Sequence, residues 1–129
     1  MSRIKVLIAD DVSRVRQDLR TLLTLAGDIE IAGEAQNGDE AVHQAATLRP
    51  DVVLMDMEMP VLDGLEATRR IKTIQPDCRV IVLTIHGGEA TRKQALSAGA
   101  DYFLEKGVPL NTLLEAISER IEMNQINKK

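Results

Sequence analysis

Residues 51–64 read Asp51-Val52-Val53-Leu54-Met55-Asp56-Met57-Glu58-Met59-Pro60-Val61-Leu62-Asp63-Gly64. The run over 52–55 is continuous, apolar and rich in β-branched side chains, and it stops on a carboxylate. A strand with one wet face alternates polar and apolar residues, whereas an unbroken run suits a strand covered on both faces, as in a parallel sheet. Beyond it, Leu65, Thr68, Ile71 and Lys72 follow at helical spacing, with Asp63 placed to cap that helix. The stretch therefore predicts a buried strand, an acid at its carboxyl end, a loop and a helix.

The same grammar repeats on both sides. Ile4–Ala9 holds Val6-Leu7-Ile8 and ends in Asp10-Asp11, residues 79–83 hold Val80-Ile81-Val82-Leu83 and precede Thr84, and residues 101–104 lead into Glu105-Lys106. The remaining run, 30–35, differs: Ile29-Glu30-Ile31-Ala32 alternates, which suits an edge strand. Between the runs, Val15, Leu19, Leu22 and Leu23 share one helical stripe that Ser13 could cap. Ala41, Val42, Ala45 and Leu48 make a smaller stripe ended by Arg49-Pro50, and residues 90–98 a short helix of small residues closed by Gly99. Leu110, Leu113, Leu114, Ile117 and Ile121 form the last and best amphipathic helix. Strand starts lie about 22–27 residues apart, the period of a βαβ unit. Five such alternations predict one α/β domain, a doubly wound parallel sheet with helices on both faces. Its core spans about residues 4–121 of the single domain 1–129, with a polar end at 123–129.

Composition narrows the functional classes. The chain has 129 residues, 16 Lys+Arg against 20 Asp+Glu and a net charge of -4, which argues against direct DNA binding. Tyr102 and Phe103 are its aromatic residues, too few for a base-stacking platform. A lone cysteine, Cys78, forms neither an internal disulfide nor a multi-cysteine metal site. No apolar stretch is long enough for a signal peptide or a membrane span, so the expectation is a cytoplasmic protein with no membrane partner. No Gly-rich phosphate loop comes after the first strand, which excludes the dinucleotide and P-loop fingerprints.

In open α/β sheets ligands bind beyond the carboxyl ends of the strands. Here those ends deliver Asp10, Asp11 and Asp56, the hydroxyl of Thr84 and the ammonium of Lys106. Each alone reads as a turn former, a satisfied hydroxyl or a solvated charge; together at one edge they read as a site. Three crowded carboxylates repel each other, and a divalent cation relieves the conflict. A few carboxylates without a Cys or His cluster suit Mg²⁺, which leaves coordination positions for phosphate oxygens. Thr84 and Lys106 suit phosphoryl oxygens, and a carboxylate can itself be the nucleophile, giving an aspartyl phosphate. Met55, Met57 and Met59 mimic a sulfur ligand row, but packing is the better reading, and His43 is expected to face solvent.

At this point the sequence resembles the receiver domain of bacterial two-component response regulators. The resemblance rests on Val6-Leu7-Ile8-Ala9-Asp10-Asp11, the stretch 51–64, Leu83-Thr84 and Gly99-Ala100-Asp101-Tyr102-Phe103-Leu104-Glu105-Lys106, in this order and spacing. It implies a flavodoxin-like five-stranded sheet in the order 2-1-3-4-5 with five helices. It implies that Asp56 accepts a phosphoryl group from a sensor histidine kinase or phosphotransfer protein. Asp11 would bind Mg²⁺ directly and Asp10 through water, with Asp56 and the backbone carbonyl of Glu58 completing the ligands. Thr84 and Lys106 would contact the phosphoryl oxygens, and Phe103 would be the switch aromatic. The fourth helix, fifth strand and fifth helix would form the readout surface for an output domain or protein, and would allow a phosphorylation-dependent homodimer.

Lys106 is followed by Gly107, whereas the family often has Pro there with a cis peptide; Pro109 comes three positions on. Lys106-Gly107 and the last helix look most like receivers attached to helix-turn-helix output domains of the nitrate-response and fixation type. The expectation is an isolated receiver of a transcriptional regulator or a single-domain regulator. Glu58 and His86, two residues after Asp56 and Thr84, would tune the phosphoryl lifetime. The competing reading is an Asp-nucleophile phosphatase or phosphotransferase, but five βα units in 129 residues leave no insertion for a cap. A purely structural module would be expected to lose an acid, the Thr or the Lys, and none is lost.

Overall fold

The computed structural model describes residues 3–118. The element order is β1 (Ile4–Ala9), α1 (Ser13–Leu25), β2 (Ile29–Ala35), α2 (Gly38–Leu48), β3 (Val52–Asp56), α3 (Gly64–Ile74), β4 (Arg79–Thr84), α4 (Glu89–Ser97), β5 (Tyr102–Glu105) and α5 (Leu110–Ser118). The five strands form one sheet in the order β2-β1-β3-β4-β5, and every pairing is parallel. Ile121 and residues 123–129, assigned by the sequence to the last helix and a polar end, lie outside the described residues.

The unbroken runs are buried on both faces, as their lack of alternation requires. All residues of β3 and β4 are buried. Successive side chains point to opposite faces, so each strand feeds two cores. Leu7, Val53, Met55, Val80 and Val82 pack against Ala41 and Ala45 of α2, Ala67 and Ile71 of α3, and Ala95 of α4. Val6, Ile8, Leu54, Ile81 and Leu83 pack against Leu23 of α1 and Leu113, Ala116 and Ile117 of α5. One face thus meets mostly small side chains and the other long aliphatic ones.

β2 holds one edge, and its alternation survives only as far as Ile31. The β1 register then slips, with Val6 opposite Ile31 but Leu7 opposite Gly33. A bulge of this kind suits a glycine; a Cβ at Gly33 would meet Gln44 Oε1 at 2.7 Å and Leu48 Cδ1 at 2.9 Å, the ends of two flexible side chains that would have to swing aside.

The helix ends show where local rules hold. Asp63 caps α3, its Oδ1 accepting from Glu66 N at 2.9 Å, and Asn37 caps α2 in the same way. Ser13 does not cap α1. It is the first helical residue, and the cap position falls to Val12 with no side-chain bond. The polar residue ahead of this helix, Asp10, instead receives the Val12 amide at 2.9 Å. Gly99, at φ +107, comes after the last turn of α4 as expected. Leu22 and Leu48, placed on apolar stripes by spacing, lie at the stripe margins and are 44 % and 38 % exposed.

Candidate functional site

The order β2-β1-β3 reverses direction between β1 and β3, and the crevice beyond that reversal is where open α/β sheets bind ligands. β1 delivers Asp10 and Asp11 there, and β3 delivers Asp56. One carboxylate oxygen from each lies within 4.8 Å of the others. Asp10 and Asp56 are buried and Asp11 is exposed. The pocket therefore has two acids forming its floor and one at its mouth.

Lys106, just past β5, reaches across β4 into this cluster. Its Nζ lies 2.8 Å from Asp10 Oδ2 and 3.3 Å from Asp56 Oδ1. Its backbone N–H donates to the Thr84 carbonyl at 2.8 Å, which fixes where the side chain starts. Burial pushes the Asp56 carboxyl up to about 6; the Asp10 charge adds to the rise and Lys106 opposes it. Hydrogen bonding and charge from Asp10 and Asp56 hold the Lys106 ammonium above its ordinary range, although its burial works the other way. One ammonium among three carboxylates leaves an excess of negative charge, the condition a divalent cation satisfies. The donor set is all oxygen and close enough to converge on one ion, so it fits Mg²⁺.

Thr84 ends β4 and is buried. Its Oγ1 accepts the His86 N–H at 3.0 Å, which ties the start of the β4–α4 loop to the site. His86 Nε2 in turn lies 3.2 Å from Glu58 Oε1, both side chains being exposed. The two positions suspected of tuning the site thus meet each other across its mouth, a pairing that sequence spacing does not show. Phe103 sits on β5 opposite Val82 and is partly buried against the core on the α2–α4 side. It borders a cavity of about 430 Å³ that is also lined by Gly88, Glu89, Arg92 and Val108. Met55 and Met59 are buried in that core with Met57 packed on it, so the methionine row is packing. His43 is exposed, as expected. The described residues contain no cis peptide, so the Lys106–Gly107 bond is trans, with Gly107 at φ +100.

Two supporting residues escape a reading of the sequence. Gly64 opens α3 directly against the Asp56 carbonyl, and its own N–H donates to Met57 O at 2.9 Å. Arg16 donates to the Asp10 carbonyl at 2.7 Å. The first could have been suspected from the tight turn after Asp63. The second carries no local signal, because it depends on how α1 lies against β2.

A parallel sheet in this order, with a buried aspartate between a second acid and a lysine at its switch point, defines the class of aspartate-switch receivers. The chain belongs to the response regulator receiver domain family, which matches residues 6–118. It is similar to the chemotaxis protein CheY of Thermotoga maritima, 39 % identical over 115 residues that cover 89 % of this chain and 95 % of that one. It is also 40 % identical to a protein-glutamate methylesterase/protein-glutamine glutaminase of Carboxydothermus hydrogenoformans, over all of this chain but 38 % of that protein. A LuxR-family two-component response regulator from Aurantimonas sp. SI85-9A1 superimposes with a TM-score of 0.86 at 30 % identity, covering 92 % of this chain and 84 % of that one. The chain spans about half the length of the transcriptional regulatory protein LnrK of Bacillus subtilis and of the response regulator GacA of Pseudomonas syringae, which it also matches. The receiver is a phosphorylation-activated switch of two-component signalling, as the sequence implied. No described helix is long and apolar enough to cross a membrane.

Proposed function

We propose that Asp56 is the phosphoacceptor of this switch. The observation that carries the assignment is the Lys106 ammonium shared between the buried carboxylates of Asp10 and Asp56 at the switch point. An Asp56 Oδ atom attacks phosphorus; the O–P bond forms as the P–N bond of a donor phosphohistidine breaks and its electron pair returns to the imidazole. The donor is a sensor histidine kinase or a phosphotransfer protein. Asp11, Asp10 through water, Asp56 and the Glu58 carbonyl would hold Mg²⁺, which would supply charge neutralisation. Lys106 steadies the incoming negative charge and Thr84 donates to a phosphoryl oxygen. Movement of Thr84 toward that oxygen leaves room for Phe103, which borders the cavity beside α4, to follow. The readout face is α4, β5 and α5, turned toward an output domain or protein, or toward a second phosphorylated copy.

The chain turns over no external metabolite in this reading, binds no DNA itself and works in the cytoplasm as one domain. Intact-mass spectrometry after incubation with acetyl phosphate tests it. With Mg²⁺, one phosphoryl adduct is expected, mapped by peptide analysis to Asp56; with EDTA, none. An adduct on another residue, or rapid donor hydrolysis without an adduct, overturns the assignment.

Glu58 and His86 form a fence over the path by which water reaches the phosphoryl group. Removing one post is expected to shorten the phosphoryl lifetime. An exposed pair is worth about 0.2–1 kcal/mol, so Glu58→Ala should lose its phosphoryl group up to about fivefold faster than wild type. A decay rate equal to wild type, measured by loss of the adduct over time, would remove Glu58 from this role.

A further inference from the structure

Asp10 is fixed at every polar atom of its backbone and side chain. Its N–H donates to Ala35 O of β2 at 3.0 Å, its Oδ1 accepts from Val12 N at 2.9 Å, and its Oδ2 meets Lys106 Nζ at 2.8 Å. Its carbonyl accepts from Arg16 Nη1 at 2.7 Å. That last bond leads outward. Arg16 Nε donates to Glu34 Oε1 at 3.1 Å, and Glu34 Oε2 receives Arg20 Nε at 2.6 Å. Arg16 and Glu34 are mostly buried, at 16 % and 25 % side-chain exposure. Burial opposes the ionised form of Glu34, but the two guanidinium groups outweigh it and hold the carboxyl below its ordinary range. A partly buried pair that keeps its charge in this way is a fixed strut.

We propose that Arg16, braced by Glu34, is a positioning residue for the cation site. It clamps the β1–α1 turn to the edge strand β2, and so sets the direction in which Asp10 and Asp11 present their carboxylates. α1 has no side-chain cap of its own to hold that turn. The Arg16 fork is the one side chain bonded to the Asp10 carbonyl among the described residues. Removing a partner that orients a metal ligand from outside the coordination sphere typically costs about 10–100-fold in affinity. Arg16 holds the backbone of Asp10 rather than its ligating carboxylate, so the lower end of that range or less is expected. The inference rests on the reading of Asp10, Asp11 and Asp56 as the Mg²⁺ site.

The test is a Mg²⁺ titration monitored by NMR on the Val12 amide, which bonds to Asp10 and so reports on the turn itself. Wild type, Arg16→Ala, Glu34→Gln and Lys72→Ala are compared. Lys72 bonds to Pro76 O, Cys78 O and Asp101 Oδ2, well away from the acids, and serves as the control for general loosening. The Mg²⁺ midpoint is expected to rise about 3–10-fold in Arg16→Ala and in Glu34→Gln, and to stay at the wild-type value in Lys72→Ala. Glu34→Gln keeps the test decisive should Arg16→Ala fail to fold. Unchanged midpoints in the folded Arg16 and Glu34 variants overturn the inference, as does an equal rise in Lys72→Ala. A wild type that gives no Mg²⁺ response overturns the site reading instead, and the two failures are therefore distinct.

Discussion

Asp56→Asn is expected to take up no phosphoryl group from acetyl phosphate and, without Mg²⁺, to melt at a higher temperature than wild type. The first effect removes the nucleophile. The second arises from the site's electrostatics. Folding raises the Asp56 carboxyl from an ordinary 3.8 to about 6, through burial first and the Asp10 charge second. A group raised in the folded state contributes its full stability below about pH 4 and loses it as pH rises through about 6. At about pH 7.5 the ionised carboxylate therefore weakens the fold by as much as about 3 kcal/mol, with the opposing charge of Lys106 already included. Asn keeps the shape without the charge, so a gain of about 1–3 kcal/mol is expected, or several degrees in Tm. Mg²⁺ relieves the same repulsion in wild type and should close the gap. Differential scanning calorimetry at about pH 4 and about pH 7.5, with EDTA and with Mg²⁺, checks each part; an equal advantage for Asn at both pH values would refute the electrostatic account.

Gly64→Ala is expected to be the most damaging small substitution near the site. Its Cβ would collide with the carbonyl of Asp56 and stand 2.9 Å from Met57 Cα. Both obstacles are backbone, so neither can rotate aside. Overpacking of this kind costs about 1–3 kcal/mol where side chains can shift; against backbone, about 3 kcal/mol or more is expected. Relief by displacing β3 would move Asp56 itself, so the adduct yield should fall together with the urea midpoint. Equilibrium unfolding in urea measures the loss directly, and a midpoint equal to wild type would mean that the close approach is not maintained in solution.

The sheet and the polar end groups of its strands are legible because both depend on short-range pattern. Unbroken runs such as Val80-Ile81-Val82-Leu83 mark central strands, and the polar residue at the end of each run marks the site. Asp63 as a cap is legible for the same reason. Ser13 misleads because capping preference assumes that the chain before a helix is free to turn, and here Asp10 is already committed to Lys106 and to the Val12 amide. The meeting of Glu58 with His86, and of Arg16 with Glu34, joins residues 28 and 18 positions apart. Such contacts depend on how loops and helices lie against the sheet, which periodicity does not encode. The bulge at Gly33 is equally invisible, since the alternation before it gives no notice of where the register slips.

α4 keeps one residue of its own, Ala95, fully inside the molecule. A single methyl group is worth about 1 kcal/mol of burial. Burial of its own side chains thus adds little to holding this helix, while β4 is wholly enclosed. Coupling between distant sites in proteins is typically about 1–3 kcal/mol. A signal of that size is slight beside the hold on the sheet but comparable to the burial of Ala95. The fold thereby decides in advance which part of it a modest local event can set adrift.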